Sequence, residues 1–106
     1  MDTCIFCLIA SGSSPATVLY QDDDVIVFKD IHPQAPVHWM VVSKEHVSEF
    51  VDGSKVLLGK MFTVVKKIIK QERITNNRIV INGKGAALID HLHIHVMGGI
   101  DTLRKL

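Results

Sequence analysis

The sequence predicts a single α+β domain over residues 1–106, in which a five-stranded, mostly antiparallel sheet carries one long helix and a short N-terminal helix. Three observations predict this class. The chain has 106 residues, 47% of them hydrophobic, which is enough for one core and too few for two. Several short runs have the composition and alternation of strands. One segment alone repeats its apolar residues every three or four positions, so one long helix is expected to cover one face of the sheet.

The first half of the chain is predicted to form a short helix followed by an antiparallel meander. Thr3 is expected to cap a helix that ends near Ala10 and that places Cys4 and Cys7 on one face. An aspartate-rich turn and a proline-containing bend separate the strands that follow. These strands are predicted over residues 17–20, 25–30 and 37–43.

The second half is predicted to contain the long helix and two more strands. Leu57, Met61 and Val65 recur at helical spacing within residues 54–72, and lysines occupy the opposite face of that segment. Residues 78–82 and 91–97 then have strand-like composition and are joined by a glycine-containing loop.

Charge and hydropathy exclude several classes of partner. The 12 basic and 11 acidic residues leave a net charge of +1 and form no basic stripe, so we expect no nucleic-acid partner. The apolar runs are interrupted before the ~18 residues that suggest a membrane span, and Met1-Asp2-Thr3 lacks the positive start of a signal peptide. We therefore expect a cytoplasmic protein without a membrane partner.

Three histidines alternate with apolar residues in the segment HLHIHVMGG, residues 91–99. In a strand His91, His93 and His95 would share one face about 6.7 Å apart, with Leu92 and Ile94 in the core. Two neighbouring imidazoles could share a zinc ion, whereas all three could do so only if the strand were distorted. The alternative is three solvated histidines on an exposed face. The two glycines that follow would let the backbone approach a ligand.

Histidine offers a nitrogen nucleophile that is neutral at physiological pH, and a row of histidines suits attack on phosphorus, where catalysis is largely positioning and charge stabilisation. Cys4 and Cys7 form a Cys-x-x-Cys pair, which suggests a metal knuckle or a redox pair. Two buried thiols are an equally good interpretation of such a pair on its own.

These motifs together resemble the histidine triad (HIT) superfamily of nucleotide hydrolases and transferases. The likeness covers nearly the whole chain, because CIFCLIASG, VLYQDDDVIVFKDIHPQAPVHWMVVSKEH, IVING and the alternating histidines follow in the family's order and spacing. The glycine pair after the histidines is similar to the Hint branch, the nucleoside phosphoramidases. The resemblance implies a HIT-like fold and cleavage of nucleoside 5′-phosphoramidates or related nucleotidyl substrates of the AMP type through a covalent nucleotidyl-histidine.

The resemblance also assigns roles to individual residues. His93 would attack the α-phosphorus, His95 would contact the phosphate oxygens and His38 would complete the catalytic cluster. Asp30 would accept hydrogen bonds from ribose hydroxyls, and Asn82 would reach the sugar and phosphate. The remaining implied residues are those of the base pocket, Phe6, Ile9, Phe28 and Ile31, and the zinc ligands, Cys4, Cys7, His46 and His91. Without the resemblance, Asp30 would be an ordinary turn residue and Phe6, Ile9 and Phe28 ordinary core; His32 is expected to be a solvated turn histidine.

One loop departs from the family pattern. Ala87 and Leu88 stand where the family usually carries Gln followed by Ser or Glu, so backbone amides here would have to hold the phosphate, and turnover is expected to be reduced. In the Hint branch the long helix and the strand after it, here residues 54–72 and 78–82, form a two-fold interface, which implies a homodimer. Two alternatives stay open: a nucleotide-binding regulatory protein with weak or no turnover, and a dinucleoside polyphosphate hydrolase.

Overall fold

The computed structural model of the chain describes residues 4–105. The elements are α1 (Ile5–Ala10), β1 (Val18–Gln21), β2 (Val25–Lys29), β3 (Val37–Ser43), a single 3₁₀ turn (Phe50–Asp52), α2 (Lys55–Gln71), β4 (Arg78–Val80) and β5 (His93–Gly98). The five strands form one sheet in the order β1-β2-β3-β5-β4, and every neighbouring pair is antiparallel. The predicted fold class is confirmed.

The two faces of the sheet bury two separate apolar clusters. On one face α2 packs Met61 and Val65 against Val25 and Val27 of β2, Val41 of β3, and Ile94 and Val96 of β5. On the other face α1 packs Phe6 against alternate residues of β2 and β3. Because β3 and β5 pair His38 with Met97 and Met40 with His95, the histidines of both strands lie on the α1 face.

Helix α2 begins and ends where the sequence predicts. Ser54 is its N-cap and accepts a hydrogen bond from the backbone N–H of Leu57 at 3.1 Å, and Glu72 is its C-cap. Local signals of capping and periodicity are therefore enough to predict the limits of this element. None of the helices within residues 4–105 has both the length and the apolar character needed to cross a bilayer.

Several predicted boundaries need correction. Strand β1 is shifted by one residue to Val18–Gln21, β2 ends at Lys29 and not at Asp30, and β4 ends at Val80, so Asn82 lies in the loop that follows. Helix α1 has Cys4 as its N-cap, with Sγ accepting the N–H of Cys7 at 3.4 Å; Thr3, the predicted cap, lies outside the described residues. The last strand begins at His93 and not at His91, because His91 lies in a turn closed by its N–H to the carbonyl of Ile89 at 2.9 Å. The three histidines therefore do not occupy one regular strand.

The glycine pair after the histidines serves packing between chain segments. A Cβ at Gly98 would lie 2.5 Å from Cγ2 of Ile74, and Gly99 has a φ of +74° and lies against Pro36. These glycines let the backbone pass close to neighbouring protein atoms, which is a structural reason for them that the sequence analysis did not anticipate.

Candidate active site and metal centre

His93 is held in one tautomer by the backbone. Its Nδ1 lies 2.6 Å from the carbonyl oxygen of His91, and a carbonyl can only accept, so Nδ1 carries the proton. The other ring nitrogen, Nε2, is then left with a lone pair in the neutral ring. The ring is 5% exposed and is packed edge-on against Phe6 and His95, with centroids 5.2 and 5.0 Å away. Its position and its tautomer are therefore both set by neighbours.

His38 and His95 form a second hydrogen-bonded chain whose proton positions follow from one donor. The backbone N–H of Gln34 donates to Nδ1 of His38 at 2.9 Å, which places the proton of the neutral His38 ring on Nε2. That Nε2 lies 2.9 Å from Nδ1 of His95 and donates to it. His95 then carries its own proton on Nε2 and can donate it to an anion.

Burial keeps this pair neutral. It lowers the pKa of His95 from 6.5 to about 4, with smaller contributions from the neighbouring His93 and His38, while Asp30 acts in the opposite direction. Burial also lowers the pKa of His38; the Asp30 carboxylate opposes this shift and the Arg104 guanidinium adds to it. Oδ2 of Asp30 is 3.4 Å from Nε2 of His38. At neutral pH both rings are thus uncharged, as the hydrogen-bonded chain requires.

A cleft of about 440 Å³ opens over these histidines on the α1 face of the sheet. Nine of the ten residues predicted to bind nucleotide line it. They are Phe6, Ile9, Phe28, Asp30, Ile31, Asn82, Leu88, His93 and His95. Ile31 and Leu88 are 83% and 98% exposed, so they lie at its mouth. His38 lies behind His95 and does not line this cleft.

The loop before β5 uses backbone amides within itself. The N–H groups of Ala86 and Ala87 both donate to the carbonyl of Gly83, at 3.0 and 2.9 Å. Ala86 lines the cleft, whereas Ala87, the tenth predicted residue, does not. In this conformation the amides of residues 86 and 87 are therefore committed to a turn and do not point to a phosphate.

The four predicted metal ligands come together at the N-terminus of α1. The ligand atoms of Cys4, Cys7, His46 and His91 all lie within 4.8 Å of one another. Nδ1 of His91 is 3.3 Å from Sγ of Cys4, and Nδ1 of His46 is 3.1 Å from Sγ of Cys7. Tetrahedral zinc with ordinary bond lengths holds its sulfur and nitrogen ligands about 3.5 Å apart, so the donor set and its spacing fit zinc.

His91 connects this cluster with His93. Its ring is 1% exposed and its Nε2 donates to the carbonyl of Ser43 at 2.6 Å, which leaves Nδ1 with the lone pair a metal needs. The backbone carbonyl of His91 accepts a hydrogen bond from Nδ1 of His93. One residue thus contributes its side chain to the metal cluster and its backbone to the orientation of His93.

Sequence reasoning missed contacts that depend on distant chain segments. Gln34 fixes the tautomer of His38 through its main chain, which no side-chain motif reveals. The proximity of Asp30 to His38 follows from the return of the chain between β2 and β3, and a strand alignment would have indicated it. Lys29 and His32 also line the cleft. His32 is exposed, as expected of a turn residue.

Comparison with known proteins identifies the family. Residues 3–104 match the family described as scavenger mRNA decapping enzyme C-term binding. The chain is 41% identical over 104 residues to Protein HitA of Neisseria gonorrhoeae, covering 92% of this chain and 97% of that protein. A HIT family hydrolase of Legionella pneumophila is 34% identical with a TM-score of 0.87, covering 93% and 95% of the two chains. A Zn-bound histidine triad family protein of Mycobacterium smegmatis is 28% identical with a TM-score of 0.87, covering 96% and 78%. The chain belongs to the histidine triad superfamily of nucleotide-binding hydrolases.

Proposed function

We propose that the protein is a nucleoside phosphoramidase or closely related nucleotidyl hydrolase that acts on AMP-type substrates through a covalent nucleotidyl-His93 intermediate. The observation that carries this proposal is the hydrogen bond of 2.6 Å between Nδ1 of His93 and the carbonyl of His91. It leaves the lone pair on Nε2, at a ring that lines a cleft large enough for a nucleoside monophosphate.

In the first step Nε2 of His93 attacks the α-phosphorus, the Nε2–phosphorus bond forms and the bond from phosphorus to the amine breaks. The Nε2–H of His95 donates a hydrogen bond to a phosphate oxygen as negative charge accumulates there, and His38 holds His95 in the required tautomer. The amine departs with a proton taken from solvent or from this chain of histidines.

In the second step water attacks the same phosphorus from the vacated side and the phosphorus–Nε2 bond breaks, which releases the nucleoside monophosphate and restores His93. The proton that the water loses returns to the solvent or to the chain of histidines, whichever supplied the proton of the amine. The carbonyl of His91 keeps the proton on Nδ1 throughout, so Nε2 is regenerated as the nucleophile. The cycle consumes one water molecule and leaves the protein unchanged.

The cleft suits the rest of a purine nucleotide. Phe6 and Phe28 meet edge to face with centroids 5.5 Å apart, and with Ile9 and Ile31 they give the apolar walls that a base requires. Asp30 lies at the same rim, where its carboxylate would accept from ribose hydroxyls, and Asn82 would reach the sugar and phosphate from the other side.

The Cys4, Cys7, His46 and His91 cluster would hold a structural zinc ion, which supplies cross-linking between α1 and the start of β5. Reducing compartments keep cysteines as thiols and thiolates, so a ligand set of this kind supports a cytoplasmic location. We further propose a homodimer, because β4 is a three-residue edge strand whose Ile79 is 43% exposed, and a two-fold mate would cover that edge.

Detection of the covalent intermediate tests the proposed function. Intact-mass spectrometry after a brief exposure to adenosine phosphoramidate should show one added nucleotidyl group; the quench must be alkaline, because the phosphorus–nitrogen bond is labile in acid. His93→Ala should abolish the adduct and turnover, while its Kd for AMP changes by less than about tenfold, since binding uses the rest of the cleft. Lys66→Ala, which changes an exposed residue of α2 that does not line the cleft, is the control. Turnover by His93→Ala near that of the parent would refute the mechanism.

A further inference from the structure

A second cleft of about 540 Å³ adjoins the first and is lined by positively charged side chains. Arg78, Arg104 and Lys105 contribute to its walls, and among the described residues no acidic side chain lines it. Ile79 of the edge strand β4 also lines it, so in the proposed homodimer the two-fold mate would border this cleft. His95 and Asn82 line both clefts, so the two are continuous. We call this second space the basic cleft.

The positive charge of the basic cleft is not neutralised within the part of the chain that the structure describes. Arg78 donates to the carbonyls of Arg104 and Lys105, at 3.0 and 3.4 Å, and Arg104 donates to the carbonyl of Gln34 at 2.5 Å. These acceptors are uncharged. Between residues 4 and 105 the ion pairs are His38–Asp30 and Lys60–Asp24, neither of which involves an arginine. Two guanidinium groups held by backbone carbonyls and left without counter-ions favour binding of a carboxylate or phosphate.

The position of the basic cleft relative to His93 indicates which part of a substrate would enter it. Along β5, His93 lines only the nucleotide cleft, His95 lines both, and Met97 lines only the basic cleft. In displacement at phosphorus the attacking and leaving atoms are roughly in line on opposite sides. With His93 attacking and His95 beside the phosphate, the leaving group extends toward Met97 and therefore into the basic cleft.

We propose that the basic cleft is a leaving-group subsite that selects nucleotidyl substrates whose leaving group bears an acidic substituent, with Arg78 and Arg104 as its specificity-determining residues. The inference rests on the proposed function, since it names the class of leaving group that the same reaction releases. Arg78 also holds the segment that carries Arg104, because its two hydrogen bonds end on carbonyls of residues 104 and 105. The two arginines thus act as one unit.

The test uses three adenosine 5′-phosphoramidates built on primary amines of equal chain length that end in an amide, a carboxylate or a phosphate. The end group lies several bonds from the nitrogen, so the three amines are leaving groups of similar basicity. We expect the parent to favour both charged substrates over the amide in kcat/KM by about tenfold or more, the usual effect of one charge-assisted hydrogen bond. The preferred acid, carboxylate or phosphate, shows which one the natural leaving group carries, and either preference supports the subsite.

Substitutions at the two arginines link this preference to the basic cleft. In Arg78→Gln/Arg104→Gln the preference should fall to within about twofold, and in Arg78→Lys/Arg104→Lys part of it should remain, because charge is kept and the planar fork is lost. Lys66→Gln removes one positive charge from an exposed position on α2 and should keep the parent's preference. The preference should also weaken as salt is raised.

The amide substrate separates failure of the subsite from failure of the proposed function. If the parent cleaves the amide substrate and shows no preference for the charged ones, the subsite is refuted and the proposed function stands. If the parent cleaves none of the three, the proposed function is refuted. The subsite is then judged by the Kd values of the same probes for His93→Ala, where equal values refute it and tighter binding of the charged probes supports it. Loss of activity in the glutamine double variant by the same factor on all three substrates would show a merely structural role and would also refute the subsite.

Discussion

Acidification should destabilise the protein in part through His95, and the size of this effect follows from its surroundings. The pKa of His95 is about 4 in the folded chain against 6.5 for an ordinary histidine. Between pH 4 and pH 6.5, His95 is therefore protonated in the unfolded chain and neutral in the folded chain. The free energy of unfolding falls as the pH drops from about 6.5 to about 4, and this contribution is fully present above that window. A difference of 2.5 pKa units corresponds to about 3 kcal/mol, and because the ring is only half-buried we expect ~1–2 kcal/mol.

The assay is urea denaturation at pH 7 and pH 4.5 of the parent, His95→Asn and His32→Asn. If the proposed zinc ion is bound, protonation of its ligands would also lower stability in acid, but it would affect all three proteins alike, so the comparison isolates His95. The loss of unfolding free energy between the two pH values should be ~1–2 kcal/mol smaller in His95→Asn than in the parent. His32→Asn, which changes an exposed histidine, should behave as the parent. Equal losses in the parent and in His95→Asn would refute the argument that burial holds this ring neutral.

Three further predictions follow from the metal cluster, the loop and the sheet edge. Metal analysis should find about one zinc per chain after chelator-free purification, and a metal-free parent would contradict the site. Cys7→Ser should lower the zinc content. It should also lower the Tm by ~15 °C when the free zinc concentration is about a thousand times the Kd of the parent's site. Ala87→Gln/Leu88→Ser should raise turnover of an amine-leaving substrate about a hundredfold with little change in stability, because Leu88 is 98% exposed. An equal gain on a fluorophosphate substrate, whose leaving group needs no proton, would show that the loop does not act by assisting the departing amine. Light scattering should give the mass of a dimer for the parent and of a monomer for Ile79→Arg, and a monomeric parent would exclude the interface.

The parts of the fold that sequence could predict are those whose signals are local. The period of the apolar residues and the cap at Ser54 lie within the segment that becomes α2, so its limits follow from the segment itself. Strand β3 was predicted with its observed limits for a similar reason, since its apolar run and the bend before it are adjacent. By contrast, the start of β5 depends on hydrogen bonds with a distant segment: the N–H of Leu92 donates to the carbonyl of Val47 at 2.7 Å. Alternation alone continues through His91 and cannot reveal this.

In the candidate site too, residues with local motifs could be predicted, whereas contacts between distant segments could not. His93, His95 and the cysteines carry motifs, and the family resemblance named them from those motifs. The basic cleft carries none, because Arg78 and Arg104 stand 26 residues apart and meet only when the segment after β5 folds back over the edge of the sheet. Gln34 acts through a backbone N–H, which every residue except proline possesses. Side-chain motifs therefore cannot predict residues that act through their main chain or that meet only when distant segments of the chain fold together.

Because His91 lies outside strand β5, its side chain and its backbone carbonyl can contact different neighbours. In a regular ladder the carbonyl of residue 91 would pair with an adjacent strand, but pairing with β3 begins at Val42 and His93, so this carbonyl is available to the His93 ring. Any residue at position 91 would offer the same carbonyl. A histidine there also places a ligand atom 3.3 Å from the sulfur of Cys4 and 3.5 Å from that of Cys7, and a metal bound to it would hold that carbonyl at a fixed distance from the His93 ring. If the proposed zinc ion occupies the cluster and His93 is the nucleophile, removal of the metal should slow the chemical step as well as loosen α1, because the tautomer of His93 depends on where the backbone of His91 lies.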